Sequence, residues 1–154
     1  MGLDLFPRRH TDPDATKAKG MTHRTGDPCP FTHDDFPLAS IGTCCSLRGK
    51  VAAENLHALG ETDVCELMHD DVGAVGALRV AARLRGAADR LEQRYAGRSD
   101  KPSGGYYGGR LNADTGEFTP WPQPSFEEAI TSIRQAADWY EKVGRLGFGV
   151  HAWY

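Results

Sequence analysis

The stretch Ser125-Phe126-Glu127-Glu128-Ala129-Ile130-Thr131-Ser132-Ile133-Arg134-Gln135-Ala136-Ala137-Asp138-Trp139-Tyr140, followed by Phe148-Gly149-Val150-His151-Ala152-Trp153-Tyr154, decides the reading of the fold. Ser125 and Glu128 have the spacing of a capping box, in which each side chain satisfies an orphan backbone N–H of the helix start. Phe126, Ala129, Ile130, Ile133, Ala137 and Tyr140 then recur at helical intervals and make one apolar stripe. Gly144 or Gly147 is the expected stop. The aromatic tail after it is β-prone and is expected to lie beside a hairpin just upstream.

That hairpin is read from Tyr107–Leu111 and Glu117–Trp121, which flank the turn-rich Asn112-Ala113-Asp114-Thr115-Gly116. Thr119-Pro120-Trp121-Pro122-Gln123-Pro124 alternates with proline and should be extended. Upstream, Leu47, Val51, Leu56 and Leu59 form a loose apolar face for a helix over 46–59 that ends at Gly60. Asp63 and Glu66 suggest a second capping box for a short helix over 63–69. A long helix is expected over 71–96, where Val72, Val75, Leu78 and Ala82 hand over to Leu84, Ala88, Leu91 and Tyr95 before Gly97.

The first forty residues differ in character. They carry five of the nine prolines, Pro7, Pro13, Pro28, Pro30 and Pro37, and no sustained period. This part reads as an irregular arm with a short strand over 2–6. The expectation is a single α+β domain over 1–154, made of an arm (1–40), a helical part (41–98) and a hairpin–helix–strand part (104–154). Central helices would accompany a small antiparallel sheet of hairpin and C-terminal strand, packed by the long C-terminal helix.

Composition narrows the classes of function. The chain has 154 residues, 25% charged and 40% hydrophobic, with a net charge of −3. Those values are typical of a soluble globular protein and give no default attraction to polyanions or membranes. No apolar run approaches the roughly 20 residues that span a bilayer. The N-terminus has no apolar secretory core, so a cytoplasmic location with reduced cysteines is expected.

Three sets of residues carry chemistry by type and spacing. Cys29-x₃-His33 and Cys65-x₃-His69 have thiolate and imidazole donors suited to zinc, although no Cys-x₂-Cys occurs. No resident cofactor is otherwise indicated. Cys44 and Cys45 precede a helix, whose N-terminus lowers a thiol pKa, and with Arg48 and Lys50 nearby either is a candidate nucleophile. A base would come from His33, His57, His69 or His151. Arg79, Arg83, Arg90 and Arg94 share one helix face, and six arginines lie between 79 and 98 against Asp89 and Glu92. Such a stripe fits phosphates or an acidic protein surface. The acidic segment 54–71 is equally able to pair with it inside the molecule. Tyr106, Tyr107, Trp121 and Trp153 are candidates for a partner-binding aromatic surface.

Met1-Gly2-Leu3-Asp4-Leu5 and Gly42-Thr43-Cys44-Cys45-Ser46-Leu47-Arg48-Gly49-Lys50 resemble stretches of small proteins from bacteriophages and high-GC bacteria, a group with no assigned activity. The resemblance implies a phage-type or accessory protein and assigns no residue a role. The function expected from these readings is binding of another macromolecule, a protein, through the N-terminal arm and the aromatic sheet region, as an inhibitor or regulator. The alternatives are a zinc- or cysteine-dependent hydrolase and a nucleic-acid binder acting through the arginine stripe.

Overall fold

The computed structural model describes residues 3–9, 47–105 and 108–153. The elements run β1 (Asp4–Arg9), β2 (Leu47–Arg48), α1 (Lys50–Ala58), α2 (Thr62–Leu67), α3 (Ala74–Arg94), β3 (Gly109–Leu111), β4 (Phe118–Pro120), α4 (Phe126–Arg145) and β5 (Phe148–Trp153). The α+β class is as expected. The arm over 10–40 lies outside the described residues.

The helix α4 is the spine. Its capping box forms: Ser125 N–H donates to Glu128 Oε2 at 2.7 Å and Glu128 N–H donates to Ser125 Oγ at 3.2 Å. Phe126, Ile130, Ile133, Trp139, Tyr140 and Val143 are all buried along it. The helix runs through Gly144 and stops at Leu146, with Gly147 at φ 81° just beyond. α3 lies antiparallel on this stripe through Ala77, Ala81, Leu84, Ala88 and Leu91. Small alanines on both helices let the backbones come close.

Gly144 is where the approach is tightest. A Cβ there would stand 2.8 Å from the Ala74 carbonyl oxygen and 2.8 Å from Leu78 Cγ. The arginines of the two helices pair across their outer edges: Arg134 with Asp89 at 2.7 Å and Glu92 at 2.5 Å, and Arg85 with Asp138 at 2.6 Å and with Glu141. These pairs are exposed and add register more than stability.

The last strand does not join the hairpin. β5 pairs antiparallel with β1 over its whole length, from Asp4↔Trp153 to Arg9↔Phe148, in a sheet ordered β2-β1-β5. β3 and β4 form a separate two-stranded sheet. Two features of the chain account for this. In the hairpin, the inward hydrogen bonds at Asn112–Glu117 and Gly108–Trp121 leave Pro120 facing the free edge of β4, and proline has no N–H to offer a further strand. In β1, Pro7 is opposite Val150, and Val150 spends both backbone groups on Val72, on the far side of β5 (2.8 and 2.9 Å). Pro7 is therefore not asked to donate to β5, and β2, which pairs only Asp4 and Leu5, has already ended. The strand runs on past the Phe6 boundary read from sequence.

Three helix starts also shift. Leu47 is taken by the ladder to Leu5, so α1 begins at Lys50. The Val72–Val150 bridge holds that residue extended, so α3 begins after Gly73 rather than at 71. α2 begins at Thr62 with Glu61 as its N-cap and no side-chain cap, in place of the Asp63–Glu66 box. Among the described residues no helix is long and apolar enough to cross a membrane.

Gly144→Val should lower stability by about 1–3 kcal/mol, since the branched side chain must displace Ala74 or Leu78. At roughly 2–4 °C per kcal/mol for a chain of this size, a thermal melt followed by circular dichroism will read the loss. An unchanged melting temperature would contradict the close packing.

Candidate functional site

One buried side chain links the helices to the hairpin. Asn55 on α1 is 1% exposed. Its Nδ2 donates to Ser132 Oγ on α4 at 2.7 Å, and its Oδ1 accepts from Gly105 N–H at 2.8 Å. Ser132 Oγ in turn donates to the Ala129 carbonyl at 2.8 Å. Gly104 N–H donates to the Pro124 carbonyl at 2.8 Å, tying the two legs of the hairpin together. Gly105 sits so close to α1 that any Cβ would overlap the Glu54 carbonyl. The base of the hairpin is thus fixed by buried polar contacts, each expensive to leave unmade.

Beyond that base the hairpin stands in solvent. Its turn is closed by Asn112, whose Oδ1 accepts from Asp114 N–H at 3.0 Å and Thr115 N–H at 3.3 Å. Leu111, Phe118 and Trp121 are 64%, 53% and 51% exposed. Trp121 lies over Gly108, where a Cβ would come within 2.5 Å of its Cζ3. The indole also forms one wall of a cleft of about 340 Å³ between the Pro122–Pro124 segment, α1 and the start of α4, with Asn55 and Ser132 in its lining.

The arginine stripe divides. Glu61, buried at the start of α2, takes Arg90 at 2.5 Å and Arg94 at 3.8 Å. The Glu61 hydrogen bond raises the Arg90 pKa further and keeps it charged. Arg79 and Arg83 are exposed and make no ion pair among the described residues. The acidic segment therefore uses one end of the stripe internally. Near the end of α3, Arg98 lies over the Tyr95 ring at 5.2 Å and holds the Asp100 carboxyl down to about 2.

The cysteine and histidine candidates are scattered. Cys65 is half-buried on α2; burial pushes its thiol pKa up, and the Glu54 and Glu66 carboxylates push it further. It is a poor nucleophile at neutral pH. His69 lies beyond the end of α2, so the expected one-turn helical pair with Cys65 is not a continuous helix. Cys29, His33, Cys44, Cys45, Tyr106 and Tyr107 lie outside the described residues, as does the side chain of Trp153. Among the described residues no group of three or more His, Cys, Asp or Glu side chains is arranged to hold a metal ion.

One histidine is held in a set orientation. His151 Nδ1 lies 2.8 and 2.9 Å from the two carboxylate oxygens of Asp71, and Ala152 N–H donates to Asp71 Oδ1 at 3.0 Å. A carboxylate on Nδ1 fixes the imidazole ring and leaves Nε2 as the working nitrogen, the arrangement of a general base. The sequence named His151 as a base but not Asp71 as its partner, because the two are 80 positions apart. Asn55 and Ser132 were missed for a related reason: each is a lone polar residue within an apolar helix face.

Alkylation of Cys65 by iodoacetamide at neutral pH should be slower than that of glutathione, and should accelerate only above the ordinary thiol range. Peptide mass spectrometry measures this, and a rate equal to glutathione would contradict the burial.

No family model, no curated protein and no solved structure matches the chain.

Proposed function

We propose that the chain is a small accessory protein that acts by binding another protein, and that the hairpin carries the contact. One observation supports this above the others: Leu111, Phe118 and Trp121 stay more than half exposed on an element whose base is fixed to the core. Large apolar groups held in water on a rigid frame are suited to recognition. Each gains roughly 1.5–3 kcal/mol on full burial, and little order has to be imposed first. Tryptophan is also among the residues that most often dominate a contact. With the phage-type resemblance, the role is that of an inhibitor or regulator.

The Leu111→Ser/Phe118→Ser/Trp121→Ser triple variant should keep its circular dichroism spectrum and melting temperature within a few degrees, because all three side chains are more than half exposed. Immobilised wild-type protein should retain a partner from its source cells that the triple variant loses by at least about tenfold. Equal retention by both proteins would overturn the reading, as would a lack of any partner combined with catalytic turnover in a substrate screen.

A second reading rests on the Asp71–His151 pair. Here the imidazole serves as base to a thiol nucleophile, for which Cys44 and Cys45 are the candidates from sequence. This reading requires hydrolysis of ester or amide substrates that falls by roughly a hundredfold in His151→Ala and in one of the two cysteine variants. A rate indifferent to both changes would remove it.

A further inference from the structure

We infer that the cleft beside Trp121 docks an extended, proline-rich segment of the partner, with a basic residue at the segment's flank. This rests on the proposal that the hairpin surface is the binding surface.

The apolar part of the lining is the half-exposed indole of Trp121, the rings of Pro122 and Pro124, and Val51, and polar side chains make up the rest of the described lining. The cleft volume of about 340 Å³ accommodates a few residues of extended chain. An exposed indole beside prolines is a surface on which a polyproline helix can stack, and such a helix arrives with its conformation already set and so forfeits little entropy. Such a helix has no internal hydrogen bonds, and its carbonyls need donors. The exposed Gln123 carboxamide on the rim supplies them.

Charge selects among occupants. Glu128 is the only charged side chain among the described lining residues. One of its oxygens accepts from Ser125 N–H, and no cation lies within ion-pair distance of it among the described residues. A lone carboxylate at the rim attracts a basic flank and repels phosphate, which disfavours a nucleic acid strand here. The Asn55–Ser132 hydrogen bond within the lining keeps the walls in place before any ligand arrives.

The probes are decaproline, decaproline with one terminal arginine and decaproline with one terminal glutamate, titrated into the full chain by isothermal calorimetry. Saturable binding should rank arginine above plain above glutamate. Trp121→Ala should weaken it at least about tenfold, while Trp121→Phe, which keeps a ring over Gly108, should retain most of it. Glu128→Gln preserves the capping box, since glutamine serves there as well, and should abolish the ranking. No saturable binding, binding unaffected by Trp121→Ala, or a ranking that survives Glu128→Gln would each overturn the inference. Saturable binding of maltohexaose with none of decaproline would overturn it too, assigning the cleft to a sugar. If these probes fail while hairpin-dependent partner capture persists, the docking inference falls and the proposed function stands.

Discussion

The buried carboxamide of Asn55 is the contact on which the arrangement of this molecule depends. It joins α1 to α4 through Ser132 and joins both to the hairpin through the Gly105 N–H. Both partners, Ser132 and Gly105, are buried, so neither can turn to water if the amide is lost. A hydrocarbon side chain at position 55 would fill the space and still leave a buried donor on Gly105 unpaired, at a cost of about 1–3 kcal/mol. The amide thus converts a surface hairpin of two three-residue strands, too small to be stable alone, into an extension of the helical core.

The distribution of charge follows the same division. On the helical side, most arginines already have acids: Arg85, Arg90 and Arg134 are committed to Glu141, Asp138, Glu61, Asp89 and Glu92. Arg79 and Arg83 make no ion pair among the described residues. On the hairpin side Leu111, Phe118 and Trp121 stand exposed among charged residues such as Arg110, Asp114 and Glu117, and the cleft beside Trp121 carries one carboxylate among its described lining residues.

The sequence made the helices legible because their signals are local. Ser125 and Glu128 announce α4, and the alanine- and leucine-bearing period announces α3. The pairing of strands was not legible, because it is decided by distant residues. Pro7 reads as the end of a strand until Val150 is found to direct its backbone groups to Val72 instead. Pro120, within a run that reads as an ordinary hairpin strand, removes the donor that a neighbouring strand would need. At the candidate site, Trp121 was visible as an aromatic between prolines. Its setting was not, since Asn55 and Ser132 look like imperfections in two apolar stripes until they are seen to bond to each other. The same holds for Asp71, which reads as one more acid in an acidic segment until His151 is placed beside it.

The most direct test of this account is the hydrogen-exchange rate of the Gly105 amide, measured by two-dimensional NMR. Its acceptor is the Asn55 side chain, so its protection reports the joint between core and hairpin and nothing else. The account predicts protection comparable to amides in the middle of α4 in the wild-type protein, and loss of that protection in Asn55→Ala while the α4 amides stay slow. A Gly105 amide that exchanges in the wild-type protein as fast as the exposed turn at Asp114 would contradict it.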